Sequence, residues 1–108
     1  MKGDGVIRTC GIELARSVNR DRDGAVVGET VTGVIGADGT RLFATLSREH
    51  PDSTWFGQAT LMRDGAPDRC VAGARFFVGH AAAAVAWTGL LRTLVYDWRR
   101  KRGGRAGR

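Results

Sequence analysis

The sequence predicts an α+β fold: an antiparallel β-meander of about five strands, covered on one face by a long C-terminal helix and followed by a disordered basic tail. Three observations predict it. Apolar and polar residues alternate through the first three quarters of the chain, turn residues separate the alternating segments, and the apolar spacing changes to three and four after His80. A chain of 108 residues, 43% of them hydrophobic, is expected to form a single domain over residues 1–102, with residues 103–108 as the flexible tail.

The predicted strands follow one another with short connections, which favours antiparallel pairing. The first covers Val6–Arg16, with Val6, Cys10, Ile12 and Leu14 in phase, where Gly11 could mark a bulge. A polar loop at residues 19–24 leads into a hairpin, and a turn at residues 50–53 then leads to a fourth strand. The fourth and fifth strands are predicted at Thr54–Arg63 and Cys70–Val78, and in the fifth the residues on one side are Cys70, Ala72, Ala74, Phe76 and Val78.

The hairpin around Asp38-Gly39 is the clearest pair of strands. Asp-Gly between alternating segments favours a two-residue type I′ turn, because both central residues of that turn need positive φ. If Ala37 and Thr40 close this turn, Ile35 pairs with Leu42. The apolar side chains then share one face: Val31, Ile35, Leu42, Ala44 and Leu46.

From His80 to about Arg102 the apolar residues repeat with helical spacing. They form one stripe of Ala84, Trp87, Leu91, Leu94 and Trp98, flanked by Leu90 and Val95. The cations of residues 99–102 suit the negative end of the helix dipole, and Gly103-Gly104 is expected to end the helix. This helix is the only candidate cover for the apolar face of the sheet.

The excess positive charge of the chain lies entirely in its last ten residues. The sequence has a net charge of +6, and residues 99–108 hold six cations and no acid. The other 98 residues hold 11 cations and 11 acids. A neutral body with a glycine-rich cationic tail predicts contact with a polyanion.

No catalytic or metal-binding motif occurs in the sequence, so we expect neither an enzyme nor a cofactor or metal site. The chain lacks GxGxxG, GxSxG, HExxH and a P-loop. His50 precedes a proline in a loop, and His80 is expected at the helix start or in the core. Cys10 and Cys70 are expected to be buried, reduced thiols, with a single disulfide as the alternative if the protein is exported.

The second face of the sheet is expected to carry aromatic and arginine side chains. The hairpin contributes Arg41 and Phe43, and alternation in the later strands adds Phe56, Arg75 and Phe77. On an open sheet such residues can stack on bases while the cations meet phosphates. The alternative is that the three phenylalanines pack against a second subunit.

The segment Phe76–Tyr96 also has the length of a membrane-spanning helix. Arg92 and the need of the fifth strand for residues 76–78 oppose that interpretation. Association of the helix and tail with a membrane surface remains a separate hypothesis. The N-terminus lacks the apolar stretch of a secretory signal, so a cytoplasmic location, or one inside a virion or other assembly, is expected.

These features predict a small non-enzymatic protein that binds nucleic acid or another polyanion. Two alternatives are a structural or assembly subunit of a larger particle, with a homo-oligomer or protein partner, and a membrane-surface protein. The predicted nucleic-acid-binding residues are Arg41, Phe43, Phe56, Arg75, Phe77, Arg99, Arg100, Lys101, Arg102, Arg105 and Arg108.

Overall fold

A computed structural model describes residues 5–48 and 54–106, without the side chains of Arg69 and of residues 102–106. This part of the chain contains six strands and one helix: β1 (Gly5–Thr9), β2 (Ile12–Arg20), β3 (Val26–Val34), β4 (Arg41–Arg48), β5 (Trp55–Arg63), β6 (Ala66–Phe76) and α1 (His80–Ala106). The strands form one antiparallel sheet in chain order, β1 to β6. The predicted meander with a C-terminal helix is confirmed, with one strand more than expected. The turn predicted at residues 50–53 lies outside the described residues.

The additional strand arises because the predicted first strand is a hairpin. Cys10 and Gly11 have φ of 53° and 78°, the positive values of a type I′ turn. The turn reverses the alternation, so Ile7 pairs with Leu14 in the core whereas Val6 is exposed. The expectation that Val6 shares a face with Leu14 was therefore wrong.

The hairpin of β3 and β4 pairs two residues away from the predicted register. Val34 pairs with Arg41, and residues 35–40 form the connection. The predicted type I′ turn requires positive φ at both Asp38 and Gly39, but only Gly39 has it. The Asp38 carboxylate accepts hydrogen bonds from the backbone N–H and the Oγ1 hydroxyl of Thr40 in this longer connection. A shift of two residues leaves every side chain on its predicted face. Val31, Leu42, Ala44 and Leu46 are therefore all buried as expected.

Helix α1 covers the apolar face of the sheet and is itself buried along Ala84, Trp87, Leu91 and Val95. The indole of Trp87 lies against Gly57, where an added Cβ would come within 2.7 Å of the ring. This close approach requires a residue without a side chain on β5. The sheet face covered by α1 is called the covered face below, and the opposite one the open face.

The helix runs from one end of the sheet to the other. His80, its first residue, lies beside Trp55, and Arg99 donates to the carbonyl of Ile35. We call these ends of the sheet the Trp55 end and the Gly39 end. The helix continues to Ala106, past its predicted end at Gly103-Gly104, and the flexibility of the tail stays a prediction.

Both cysteines are exposed and free, which corrects the expectation that they are buried. Cys10 lies in the β1–β2 turn. Cys70 was placed in phase with Ala72 and Phe76, but the register of β6 shifts between Cys70 and Ala72. The shift moves Cys70 to the open face, where the side-chain amide of Gln58 lies 3.7 Å from its sulfur.

Candidate functional site

The predicted site residues do not form one surface. On the open face, Arg41 and Phe43 lie on β4 towards the Gly39 end, whereas Phe56 and Arg75 pair across β5 and β6 at the Trp55 end. Phe43 pairs with Thr60, four residues from Phe56 along β5. At about 3.3 Å per residue, the two rings are separated by roughly 13 Å along the strands. A continuous row of aromatic side chains is therefore not present on this face.

A polar row separates these two groups on the open face. It follows the strand pairing through Ser17, Thr30, Thr45 and Gln58. Hydroxyl and amide groups offer hydrogen bonds, but they do not supply stacking surfaces. The open face therefore has two separate places at which a ring and a cation occur together.

At the Gly39 end, Arg41 and Phe43 lie on the open face, and the last part of α1 lies on the opposite, covered face. Arg41 is exposed, with Nη1 3.3 Å from the Thr32 hydroxyl, and the Phe43 side chain is 42% exposed. Trp98 lies against Gly36 in the β3–β4 connection. Eight residues of α1 follow Trp98, and at 1.5 Å per residue they extend about 12 Å beyond that contact.

The projecting part of α1 carries the cations of the predicted tail. Arg99 is anchored to the connection by a 2.9 Å hydrogen bond to the Ile35 carbonyl, and Arg100 and Lys101 are exposed. Arg102 and Arg105 belong to the helical backbone, but their side chains are not described. Arg108 lies outside the described residues.

Two acids lie close to these cations. Asp97 is 4.0 Å from Arg100, one helical turn away, and both side chains are largely exposed. Asp38 accepts hydrogen bonds from Thr40 and lies 3.5 Å from Arg63. Exposed pairs of this kind are weak, so they leave the net positive charge of the Gly39 end in place.

The Trp55 end holds the second group. The guanidinium of Arg75 lies 5.1 Å from the centre of the Phe56 ring, a cation–π contact on the open face. Phe77 follows the last residue of β6, and 76% of its side chain is exposed. This group resembles the predicted arrangement, but Arg41 and Phe43 of β4 and the cations of α1 lie elsewhere.

A buried cluster of charged residues lies on the covered face below the start of α1. Glu29 is only 3% exposed, and its carboxylate accepts two 2.8 Å hydrogen bonds from Arg16. The same carboxylate forms a short hydrogen bond with Nε2 of His80. Burial by itself raises the pKa of Glu29, but the hydrogen bonds and charges of Arg16 and His80 outweigh it, so the pKa lies below its ordinary value.

His80 was expected at the helix start or in the core, but its partners were not predicted. Strand phase could have found them, because Glu29 lies on the same face as the buried Val31, two residues away, and Arg16 on the same face as the buried Leu14. Charged residues in core positions are almost always paired. An acid and a base on the same face of predicted neighbouring strands therefore indicate an internal ion pair.

The cluster has the properties of a structural ion network. Its carboxylate is saturated by donors, and Trp55 covers the His80 ring with 5.0 Å between ring centres. Among the residues that the structure describes, no three His, Cys, Asp or Glu side chains are grouped as metal ligands. The cluster attaches the start of α1 to β2 and β3.

The outward surface of α1 is apolar over its first half. Val85 is 74% exposed and Tyr96 55%, and the small residues Ala82, Ala86 and Gly89 lie between them on the same side. Even so, α1 is not apolar enough over a membrane-spanning length, and no other helix occurs in the described ranges.

Comparison of the chain with protein-family models, with curated proteins and with solved structures found no match. The functional argument therefore rests on the geometry of the Gly39 end and of the sheet surfaces.

Proposed function

We propose that this protein binds nucleic acid without catalysing a reaction, and that the Gly39 end is the main contact. The observation that supports the proposal most directly is the projection of the cationic part of α1 beyond Trp98. On this part of the helix Arg100 is exposed, Lys101 borders a cleft beside Val71 and Ala72, and Arg99 holds the helix to the Ile35 carbonyl.

The electrostatics of this end support contact with phosphates. Arg99, Arg100 and Lys101 are consecutive on α1, and Arg41 begins the nearest end of β4. Arginine and lysine that neutralise phosphates release condensed counterions, which supplies most of the free energy of non-specific binding. Since these contacts read no base edges, we expect weak dependence on base sequence.

Phe43 adds a place for one unstacked base. Its ring is partly exposed, two residues from Arg41 on the same face. Stacking on one aromatic ring contributes about 1–3 kcal/mol per base and requires a single strand. We therefore expect single-stranded nucleic acid to gain a contact that a duplex does not make.

The test compares equal losses of charge at the two ends. The double variant Arg100→Gln/Lys101→Gln removes two cations from the projecting helix, and Arg22→Gln/Arg48→Gln removes two from the Trp55 end. Fluorescence anisotropy with a duplex at several salt concentrations gives the slope of log K against log salt. We expect the helix variant to lose about 1.8 units of slope and the control to keep the wild-type slope.

Two further results bear on the proposal. Phe43→Ala should weaken binding of single strands and leave duplex binding unchanged. Equal effects of the two double variants would contradict the assignment to the Gly39 end. Binding of anionic liposomes, with none to DNA or RNA, would replace the proposal by the membrane-surface hypothesis.

A second candidate function is that of an assembly subunit. It is favoured by the apolar outward surface of α1, where Val85 and Tyr96 are more than half exposed, and by the exposed Phe77 shortly before the helix. Surfaces of this kind commonly mark protein contacts. Light scattering at high protein concentration tests it, because a strictly monomeric protein would argue against a subunit that associates with itself.

A further inference from the structure

The cleft beside Lys101 has the size and the lining of a ligand site. It measures about 350 Å³ and lies between β6 and the second half of α1. Its walls are mainly apolar, with Ala72 on the strand and Leu90, Leu94 and Trp98 on the helix. Ligand pockets in proteins usually measure about 300–1,000 Å³ and combine apolar walls with a few polar groups. The cleft is therefore large enough for one ring system together with the groups attached to it.

Two side chains of opposite charge line the cleft where α1 approaches the Gly39 end. Asp97 and Lys101 are four residues apart, which is about 6 Å along the helix axis. Asp97 is half-exposed and lies 4.0 Å from Arg100. Residues 97–101 contain three cations and this one acid, so the segment keeps a net positive charge. An anion can therefore approach Lys101 although a carboxylate is close to it.

A nucleotide of a single strand combines the features that this lining matches. An unstacked base has apolar faces for the walls, and its edges carry hydrogen-bonding groups. An ionised carboxylate only accepts hydrogen bonds, so Asp97 selects a base edge that donates them. Guanine presents two neighbouring donors, N1–H and the N2 amino group, on its Watson–Crick edge. The phosphate lies one sugar away from the base, where Lys101 can contact it.

We propose that the cleft binds one unpaired guanine of a single strand. Asp97 accepts hydrogen bonds from the Watson–Crick edge of this base, and Lys101 contacts its phosphate. The inference rests on the proposed nucleic-acid binding and adds a base preference to it. Contacts of the helix cations with phosphates read no base edges, so the cleft supplies this preference. The site excludes a duplex, in which the Watson–Crick edge is already paired.

The cleft is separate from the stacking position at Phe43. It borders α1 on the covered side of the sheet, whereas Phe43 lies on the open face. The two sites can therefore be tested independently of each other.

The first measurement compares single strands that differ at one base. The probes are thymine oligonucleotides of about 12 nucleotides with guanine, hypoxanthine or an abasic site at one central position. Hypoxanthine differs from guanine by the loss of the N2 amino group alone. We expect the wild-type protein to bind the guanine probe about threefold or more tightly than the hypoxanthine probe in fluorescence anisotropy. The abasic probe should bind most weakly.

The outcomes separate the cleft from the phosphate contacts. Equal affinity for the three probes would overturn the guanine site and leave the proposed nucleic-acid contact intact. Failure to bind any probe at low salt would overturn both.

The second measurement uses two variants that each lose one acid. Asp97→Asn replaces a carboxylate with an amide, which offers one acceptor and one donor group to the two donors of guanine. We expect it to bind the guanine and hypoxanthine probes equally. Its affinity for the abasic probe should not fall, because the loss of a negative charge favours phosphate contacts.

Asp64→Asn is the matched control. Asp64 lies in the β5–β6 turn with φ of 56°, a conformation that asparagine tolerates, and it does not line the cleft. This variant should keep the wild-type preference for guanine. A preference that persists in Asp97→Asn, or that disappears in both variants, would refute the assignment to the cleft.

Discussion

The ion network beneath the start of α1 provides a quantitative test of the fold. Glu29→Gln keeps the shape of the side chain and removes its charge, which leaves the Arg16 guanidinium without its anionic partner. Breaking a buried ion pair by removal of one partner costs about 3–5 kcal/mol. The side chains of Arg16 and His80 each keep 26% exposure, so water recovers part of this loss. We expect the free energy of unfolding to fall by about 2–4 kcal/mol at pH 7.

The pH dependence of this difference follows from the pKa of Glu29. Because that pKa is lower in the folded protein than in the unfolded chain, the ionised carboxylate stabilises the fold at pH values above its unfolded pKa. The stabilisation is lost as the pH falls through the lowered pKa of the folded state. Wild type and Glu29→Gln should therefore differ fully at pH 7 and converge in the acid range below about pH 4.

The assay is urea denaturation followed by circular dichroism at pH 7, 5, 4 and 3. Glu13→Gln is the matched control, because Glu13 is 59% exposed in its pair with Arg8 and its loss should cost less than about 1 kcal/mol. A Glu29→Gln variant within about 0.5 kcal/mol of wild type at pH 7 would refute the reasoning. So would a difference that stays constant down to pH 3.

Two further predictions concern the glycine against Trp87 and the first turn. Gly57→Ala should destabilise the fold by about 1–3 kcal/mol, since its Cβ would lie 2.7 Å from the buried indole. Gly73→Ala makes only an ordinary van der Waals contact, 3.8 Å from the Gly57 carbonyl oxygen, and should be nearly neutral by thermal unfolding. Equal effects of the two substitutions would contradict the seating of Trp87 on β5. Cys10→Asn should raise stability by up to about 1 kcal/mol, because asparagine tolerates the positive φ of a type I′ turn, and Cys10→Val should lower it. A more stable valine variant, measured by the same unfolding curves, would argue against the turn.

Side-chain phase could be predicted from the sequence, whereas pairing register could not. Alternation in β3 and β4 assigns Val31, Leu42 and Leu46 to the core. This assignment is unchanged when the pairing of the two strands shifts by an even number of residues. The register depends on the length of the connection, and here the hydrogen bonds of Asp38 favour residues 35–40 over a two-residue turn. The Cys10-Gly11 turn was missed because cysteine is not a typical residue at positive φ.

Part of the candidate site could also be predicted. The open-face positions of Arg41, Phe43, Phe56 and Arg75 follow from alternation, and the structure places them there. Their division between two ends of the sheet depends on strand order and register, which bring Phe56 beside Arg75 and leave Phe43 beside Thr60. Aromatic content alone therefore suggested a continuous surface that the sheet does not form.

The sequence by itself determined the α+β meander, the apolar phase of the strands and helix, and the concentration of charge after Trp98. These properties depend on the spacing of apolar and charged residues along the chain, because that spacing decides which side chains share a buried face. Only the tertiary structure decided that Arg16, Glu29 and His80 form one network and that the cationic helix continues past Gly36. Each of these depends on distances between residues far apart in sequence, which the register and the seating of α1 establish.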